Sequence, residues 1–146
     1  MELLLKSVQI VATSSPLILA VDDDEDNLLL LTEVLKPMCC SWVTANNGRT
    51  ALALAQDEQP DLILLDVMLP DFNGIEVIQS LRKHPKTSTI PIIAVTALAR
   101  AEDRERLISA GCNDYISKPY MIDDLEALIR RYLNLSLKSS VAQLLF

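Results

Sequence analysis

The apolar positions of this chain fall into two alternating kinds of pattern. Short apolar runs, bounded by turn formers, occur at Leu17–Val21, Leu62–Leu65 and, with Pro91 near its start, Ile90–Val95, and shorter strand segments at Trp42–Ala45 and Tyr115–Ser117. Runs of this length without polar alternation mark strands buried on both faces, as in a parallel sheet. Between them, apolar residues recur at helical spacing. Leu28, Leu31, Val34 and Leu35 mark a helix over Asn27–Lys36 stopped by Pro37, and Ala51, Leu52 and Ala55 one over Gly48–Glu58 closed by Pro60. Ile75, Ile78 and Leu81 mark a third over Gly74–Arg82. Ala101–Ala110 is a charged helix closed by Gly111, and Met121–Leu133 a last helix with Leu125, Leu128, Ile129 and Tyr132 inward. Asp123 and Asp124 in its first turn and Arg130-Arg131 in its last suit the helix dipole. Five strands alternating with five helices, without repeats, define an α/β fold: a parallel sheet covered on both faces through right-handed crossovers.

Three segments follow: an N-terminal extension over 1–15, one domain over 16–133, and a C-terminal extension over 134–146. Lys6, Ser7 and Gln9 interrupt the apolar residues of the first segment, and Glu2 stands where a signal peptide carries positive charge. That segment is also too short to span a bilayer. Leu135, Leu137, Val141, Leu144 and Leu145 of the last segment could extend the preceding helix or dock on a partner, and the segment is too short for an output domain.

Charge narrows the function. Thirteen Lys and Arg against 20 Asp and Glu leave a net charge of −7, with Arg82-Lys83 and Arg130-Arg131 the adjacent basic pairs. Nucleic-acid binding needs clustered cations and is disfavoured. The cysteines (Cys39, Cys40 and Cys112) are odd in number and two are adjacent, which fits reduced packing residues in a cytosol. His84, the only histidine, precedes Pro85 in a polar loop and reads as a loop residue.

Chemistry gathers at the strand ends. Asp22 and Asp23 follow the first strand, Asp66 the third, Thr96 the fourth and Lys118 the fifth. A parallel sheet opens all of these ends on one edge, where such folds place their sites. Clustered carboxylates raise one another's pKa unless a cation intervenes. Lys118 supplies one charge, and the remainder suits a hard divalent ion such as Mg²⁺, which takes oxygen ligands and commonly bridges carboxylates and phosphate. A carboxylate beside Mg²⁺, a Lys and a hydroxyl is a setting for an aspartyl phosphate.

Two other motifs compete. Asp22, Asp24, Asp26 and Glu33 fit a calcium-loop spacing except that Asn27 replaces its Gly, but the preceding segment reads as strand and not as the required helix. A haloacid-dehalogenase-type phosphatase would use Asp22 as nucleophile, but Asp26 occupies the Thr/Val place of its motif.

In order and spacing, Asp22-Asp23, Asp66, Thr96, Tyr115 and Lys118-Pro119 resemble the receiver domain of bacterial two-component response regulators, over about Pro16–Leu133. The resemblance implies a flavodoxin-like (βα)5 sandwich with sheet order 2-1-3-4-5. It implies that Asp66 accepts a phosphoryl group from the phosphohistidine of a sensor histidine kinase or a histidine phosphotransfer protein. Asp23, Asp66 and the Met68 backbone carbonyl would ligate Mg²⁺, or Mn²⁺, with Asp22 acting through metal-bound water. Thr96 and Lys118 would contact the phosphoryl group, with Thr96 and Tyr115 forming the switch. Lys118-Pro119 matches the family's cis peptide, and Gly74 serves backbone geometry.

The function so implied is a stand-alone, cytoplasmic regulator that is not an enzyme toward any separate substrate and catalyses only its own phosphorylation and dephosphorylation. Its output would be a downstream protein or a second copy on the fourth helix, fifth strand and fifth helix, with no nucleic acid or membrane insertion. A phosphorelay shuttle, or a receiver fragment of a larger regulator or hybrid kinase, are the alternatives.

Overall fold

The computed structural model describes residues 15–97 and 100–145, and beyond residue 133 only the backbone. The expected extension at 1–15 therefore lies, but for Ser15, outside the described residues, as do the side chains of the C-terminal segment. Among the described residues five strands form one parallel sheet in the order β2-β1-β3-β4-β5: β1 Leu17–Val21, β2 Ser41–Ala45, β3 Leu62–Leu65, β4 Ile92–Thr96 and β5 Asp114–Ser117. The helices are α1 Glu25–Leu35, α2 Gly48–Glu58, α3 Gly74–Lys83, α4 Ala101–Ala110 and α5 Ile122–Leu145. This is the flavodoxin-like (βα)5 arrangement.

Strand periodicity divides the core in two. Leu19, Val21, Ile63, Leu65, Ile92 and Ala94 point to one face, where Ala51 and Ala55 of α2, Val77, Ile78 and Leu81 of α3, and Leu107 of α4 cover them. Their neighbours Ile18, Ala20, Leu62, Leu64, Ile93 and Val95 point to the other, under Leu31, Val34 and Leu35 of α1 and Leu125, Ile129 and Leu133 of α5. Both faces are buried, which is why these strands show no polar alternation. Cys112 packs in the first layer, whereas Cys39 is exposed.

The helix ends follow local chemistry. The carboxylate of Asp24 accepts from the Asp26 and Asn27 N–H groups, so α1 begins two residues earlier than its apolar spacing indicates. Asn47 caps α2 through Thr50 N–H at 2.8 Å, and Asn73 caps α3 through Ile75 N–H at 3.0 Å. Pro37 does not end the chain's helical path abruptly but enters a 3-10 turn over Lys36–Met38. Likewise α2 ends on Gln59, in left-handed backbone at φ 47, and not at Pro60 itself. Helix α4 closes on Gly111 at φ 120 as expected.

The last helix runs past its expected end at Leu133, along the extension the C-terminal segment allowed. It continues to Leu145, so Arg130 and Arg131 lie in its interior and not its last turn. They pair instead with nearby carboxylates: Arg130 with Glu126 at 2.9 Å and Arg131 with Asp114 at 4.0 Å. Among the described residues no helix is long and apolar enough to cross a membrane.

Candidate functional site

The carboxyl edge of the sheet brings the strand-end residues together. Sheet hydrogen bonds continue past the strand ends, with Asp22 N–H donating to Ala45 O at 3.1 Å and Asp66 N–H to Val21 O at 2.9 Å. These bonds fix the two aspartates side by side on neighbouring strands. Beyond β5, Lys118 N–H donates to Thr96 O at 2.8 Å, and the Lys118–Pro119 peptide is cis, as the family resemblance implied. The Lys118 ammonium then lies between two carboxylates, donating to Asp22 Oδ2 at 2.7 Å and Asp66 Oδ2 at 3.1 Å. Asp22 and Thr96 are fully buried at 1 % and 0 % exposure, and Asp66 nearly so at 6 %. Asp23 stands exposed at the rim.

The acidic run after β1 is divided by task. Asp22 turns inward, accepting at Oδ1 from Asp24 N–H at 3.0 Å and from the Asn27 side chain at 3.5 Å. Asp24 is consumed as the cap of α1, and Asp26 lies in that helix's first turn. A calcium loop would need the carboxylates of Asp24 and Asp26 turned toward a common centre after an incoming helix. Here a strand comes in and Asp24 serves backbone N–H groups, so that pattern is not realised.

Ligand oxygens of Asp22, Asp23 and Asp66 all lie within 4.8 Å of one another. Three hard oxygen donors at this spacing fit a small divalent cation. The loop after β3 completes the setting. Met68 N–H donates to Asp66 Oδ1 at 3.0 Å, Met68 pairs with Asn73 in an antiparallel bridge, and Gly74 N–H donates to Val67 O at 2.9 Å. Gly74 answers a need for space and not for an unusual dihedral. A Cβ there would sit 2.2 Å from Val67 Cα, while its φ is not in the left-handed region.

Electrostatics follow from burial. Burial raises the pKa of Asp66 above the ordinary carboxylate value, against the Met68 N–H bond and the Lys118 ammonium that favour the ion. Repulsion from Asp22 adds to the rise but is the least of these effects, so burial, and not the crowding of carboxylates, is the main cause. For Lys118, burial pulls the pKa down, yet the hydrogen bonds and charges of Asp22 and Asp66 together outweigh it and hold it above the usual lysine value.

Beside the aspartates a cavity of about 400 Å³ opens between the ends of β1 and β5, lined by Asp22, Asn27, Leu30, Lys118, Pro119 and Tyr120. Tyr115, the expected switch aromatic, is half-buried on β5. Its hydroxyl lies 3.0 Å from Ser117 Oγ, and the Arg104 guanidinium sits 5.4 Å from its ring centre. The sequence did not single out Asn27, Tyr120 or Asp71 for the site. Asp71 was legible only as a turn former, although it reaches across to α2.

A five-stranded parallel sheet of this order, with these residues at its carboxyl edge, defines a class, and sequence comparison agrees with it. The response regulator receiver domain family matches residues 18–130, and the chain belongs to that family. It is 38 % identical over 116 residues to the polar-differentiation response regulator DivK of Brucella anthropi, spanning 80 % of this chain and 94 % of the relative. Among solved structures it resembles the chemotaxis response regulator CheY4 of Vibrio cholerae, with TM-score 0.77 and 27 % identity over 82 % of this chain and 99 % of the other. It also resembles the receiver domain of sensor histidine kinase PA1611 from Pseudomonas aeruginosa, a structure with magnesium coordinated in its active-site cleft. There the TM-score is 0.76 and the identity 30 %, covering 83 % and 99 % of the two chains.

Proposed function

We propose that this receiver takes a phosphoryl group on Asp66 from a phosphohistidine and thereby changes what binds its surface. The observation that carries the reading is the seating of Asp66. One carboxylate oxygen accepts from the Lys118 ammonium and the other from Met68 N–H, with the oxygens of Asp22 and Asp23 within 4.8 Å. An Asp66 oxygen attacks the phosphorus, the P–N bond breaks, and the imidazole departs with its electron pair and takes up a proton. Lys118 and the Thr96 hydroxyl are the chain's own donors for the phosphoryl oxygens, Lys118 by charge and Thr96 from the adjacent strand end. Asp23, Asp66 and the Met68 carbonyl would hold Mg²⁺ or Mn²⁺ directly and Asp22 through water; the ion would supply further neutralisation of phosphoryl charge. The magnesium in the PA1611 receiver supports this assignment.

The phosphodonor is a sensor histidine kinase or a histidine phosphotransfer protein, met in the cytoplasm. Exposed Leu29 and Leu30 on α1 and Met121 and Ile122 at the start of α5 offer apolar surface beside the site for its docking. Output passes through α4, β5 and α5, to a downstream protein or a second copy of the chain. No separate substrate is turned over. A shuttle, or a receiver within a larger regulator, would use the same chemistry. The phosphatase alternative is disfavoured because Asp24, its second acid, is occupied as a helix cap.

The test is intact mass after incubation with Mg²⁺ and a small acyl phosphate donor. Wild type should gain one phosphoryl group, and Asp66→Asn or chelation of the metal should prevent it. Equal gain by Asp66→Asn would reject the assignment.

A further inference from the structure

Asp71 lies in the exposed tip of the loop that follows Asp66, yet its carboxylate is fully engaged elsewhere. It accepts from Gly48 N–H at 2.7 Å and Arg49 N–H at 3.0 Å, both in the first turn of α2, and from Phe72 N–H at 2.9 Å. The first N–H groups of a helix lack partners within it, and a carboxylate there also meets the positive end of the helix dipole. Asn47, the cap belonging to α2 itself, serves a different group, Thr50 N–H. The start of α2 is thus held by two side chains, one local and one from the loop beyond β3. The backbone bonds, that of Gly48 foremost, hold the Asp71 carboxyl below the usual carboxylate range.

Phe72 closes the same contact by packing over Gly48, where a Cβ would come 2.9 Å from the ring. At its base the loop is clipped by the Met68–Asn73 bridge and the Gly74-to-Val67 bond, and its Met68 N–H holds Asp66 Oδ1. The segment is therefore a small hairpin with its stem on the phosphoacceptor and its tip on α2.

We propose that Asp71 is a positioning residue for the phosphoacceptor site. By tying the tip of loop 67–73 to the N-terminus of α2, it fixes the Met68 N–H and carbonyl against Asp66. The inference rests on the reading that Asp66 and its neighbours bind a divalent cation. Its bonds run to α2 and to Phe72, so Asp71 acts through the loop. Outer residues that orient metal ligands typically change affinity about 10–100-fold when removed.

The experiment compares the wild-type chain with Asp71→Ala, Asp71→Asn and Asn47→Ala. Asn47→Ala removes a cap from the same helix without touching the loop. Mg²⁺ affinity is measured by calorimetry, exchange of the 67–73 amides by mass spectrometry, and Tm by calorimetric melting. Asp71→Ala should bind Mg²⁺ about tenfold more weakly, with faster exchange at Met68. Asp71→Asn, whose amide oxygen can still accept, should recover part of the loss. Asn47→Ala should lower Tm comparably with unchanged affinity. The proposal is overturned if Asp71→Ala binds within about twofold of wild type, or if Asn47→Ala weakens binding equally. Failure of the wild type itself to bind Mg²⁺ would instead remove the underlying reading, and this proposal with it.

Discussion

Replacing Lys118 by Ala tests the electrostatic logic of the site without any phosphodonor. The ammonium lies 2.7 Å from Asp22 and 3.1 Å from Asp66, and the three side chains are 20 %, 1 % and 8 % exposed for Lys118, Asp22 and Asp66. Removing one partner of a buried ion pair costs about 3–5 kcal/mol, because the other charge is left uncompensated. The cleft opens to solvent on one side, and a carboxyl whose pKa is already raised can take up a proton. The low end, about 3 kcal/mol, is therefore expected. For a domain of this size that corresponds to a fall in Tm of roughly 10 °C. The pKa of Lys118 is raised on folding, so its stabilisation is fully present below the unfolded lysine value of about 10.4 and is lost only as pH rises through the higher folded value. The penalty should be complete at neutral pH and shrink as acid protonates the Asp66 carboxyl, whose pKa burial already raises. Mg²⁺ should restore much of the loss, since a ligand at about 100 times its Kd stabilises by about 2.7 kcal/mol. Calorimetric melting with and without Mg²⁺ reads all of this. A metal-free Lys118→Ala protein melting within about 2 °C of wild type would refute the reasoning.

Three further outcomes follow from the same geometry. The Asp66 pKa is raised on folding, so its favourable contribution is present below the unfolded value of ~3.9 and lost as pH rises through the folded one. Metal-free Asp66→Asn should thus be more stable than wild type at neutral pH, with the gap closing toward pH ~4 in urea titrations; a less stable variant at neutral pH contradicts this. Gly74→Ala must displace backbone 2.2 Å away, which costs about 1–3 kcal/mol or more and should weaken Mg²⁺ binding through the Val67–Met68 segment; an unchanged denaturation midpoint would contradict the close-approach reading. A phosphoryl analogue with Mg²⁺ should alter amide exchange in α4 and at Tyr115 as well as around Asp66, because Thr96 joins the site to β4 and β5; changes confined to the Asp66 loops would exclude that route.

Much of this was legible in the chain because it is written in short-range terms. Apolar runs gave the buried strands, and four of the five strand ends carried chemical residues, so the topology alone gathered Asp22, Asp23, Asp66, Thr96 and Lys118. Helix ends were less legible. Asp24 starts α1 early because a side-chain cap outranks apolar spacing, and α5 runs on past the apolar face that predicted it. Long-range polar contacts were not legible at all. Arg82 donates to the carbonyls of Gly111 at 2.9 Å and Ile90 at 2.7 Å and to Asn113 Oδ1 at 2.7 Å, clamping the far edge of the sheet. Nothing in the spacing of these residues announces that clamp, and the same holds for Asp71 and α2. Such contacts exist only once the crossovers have been made.

The central claim is that Asp66, and not Asp22, carries the phosphoryl group. Borohydride reduction of the phosphorylated chain converts the aspartyl phosphate to homoserine with release of phosphate, and peptide mapping locates this mark. The mark is predicted on the peptide containing Asp66, absent without Mg²⁺ and absent from Asp66→Asn. A mark at Asp22, retained in Asp66→Asn, would contradict the account.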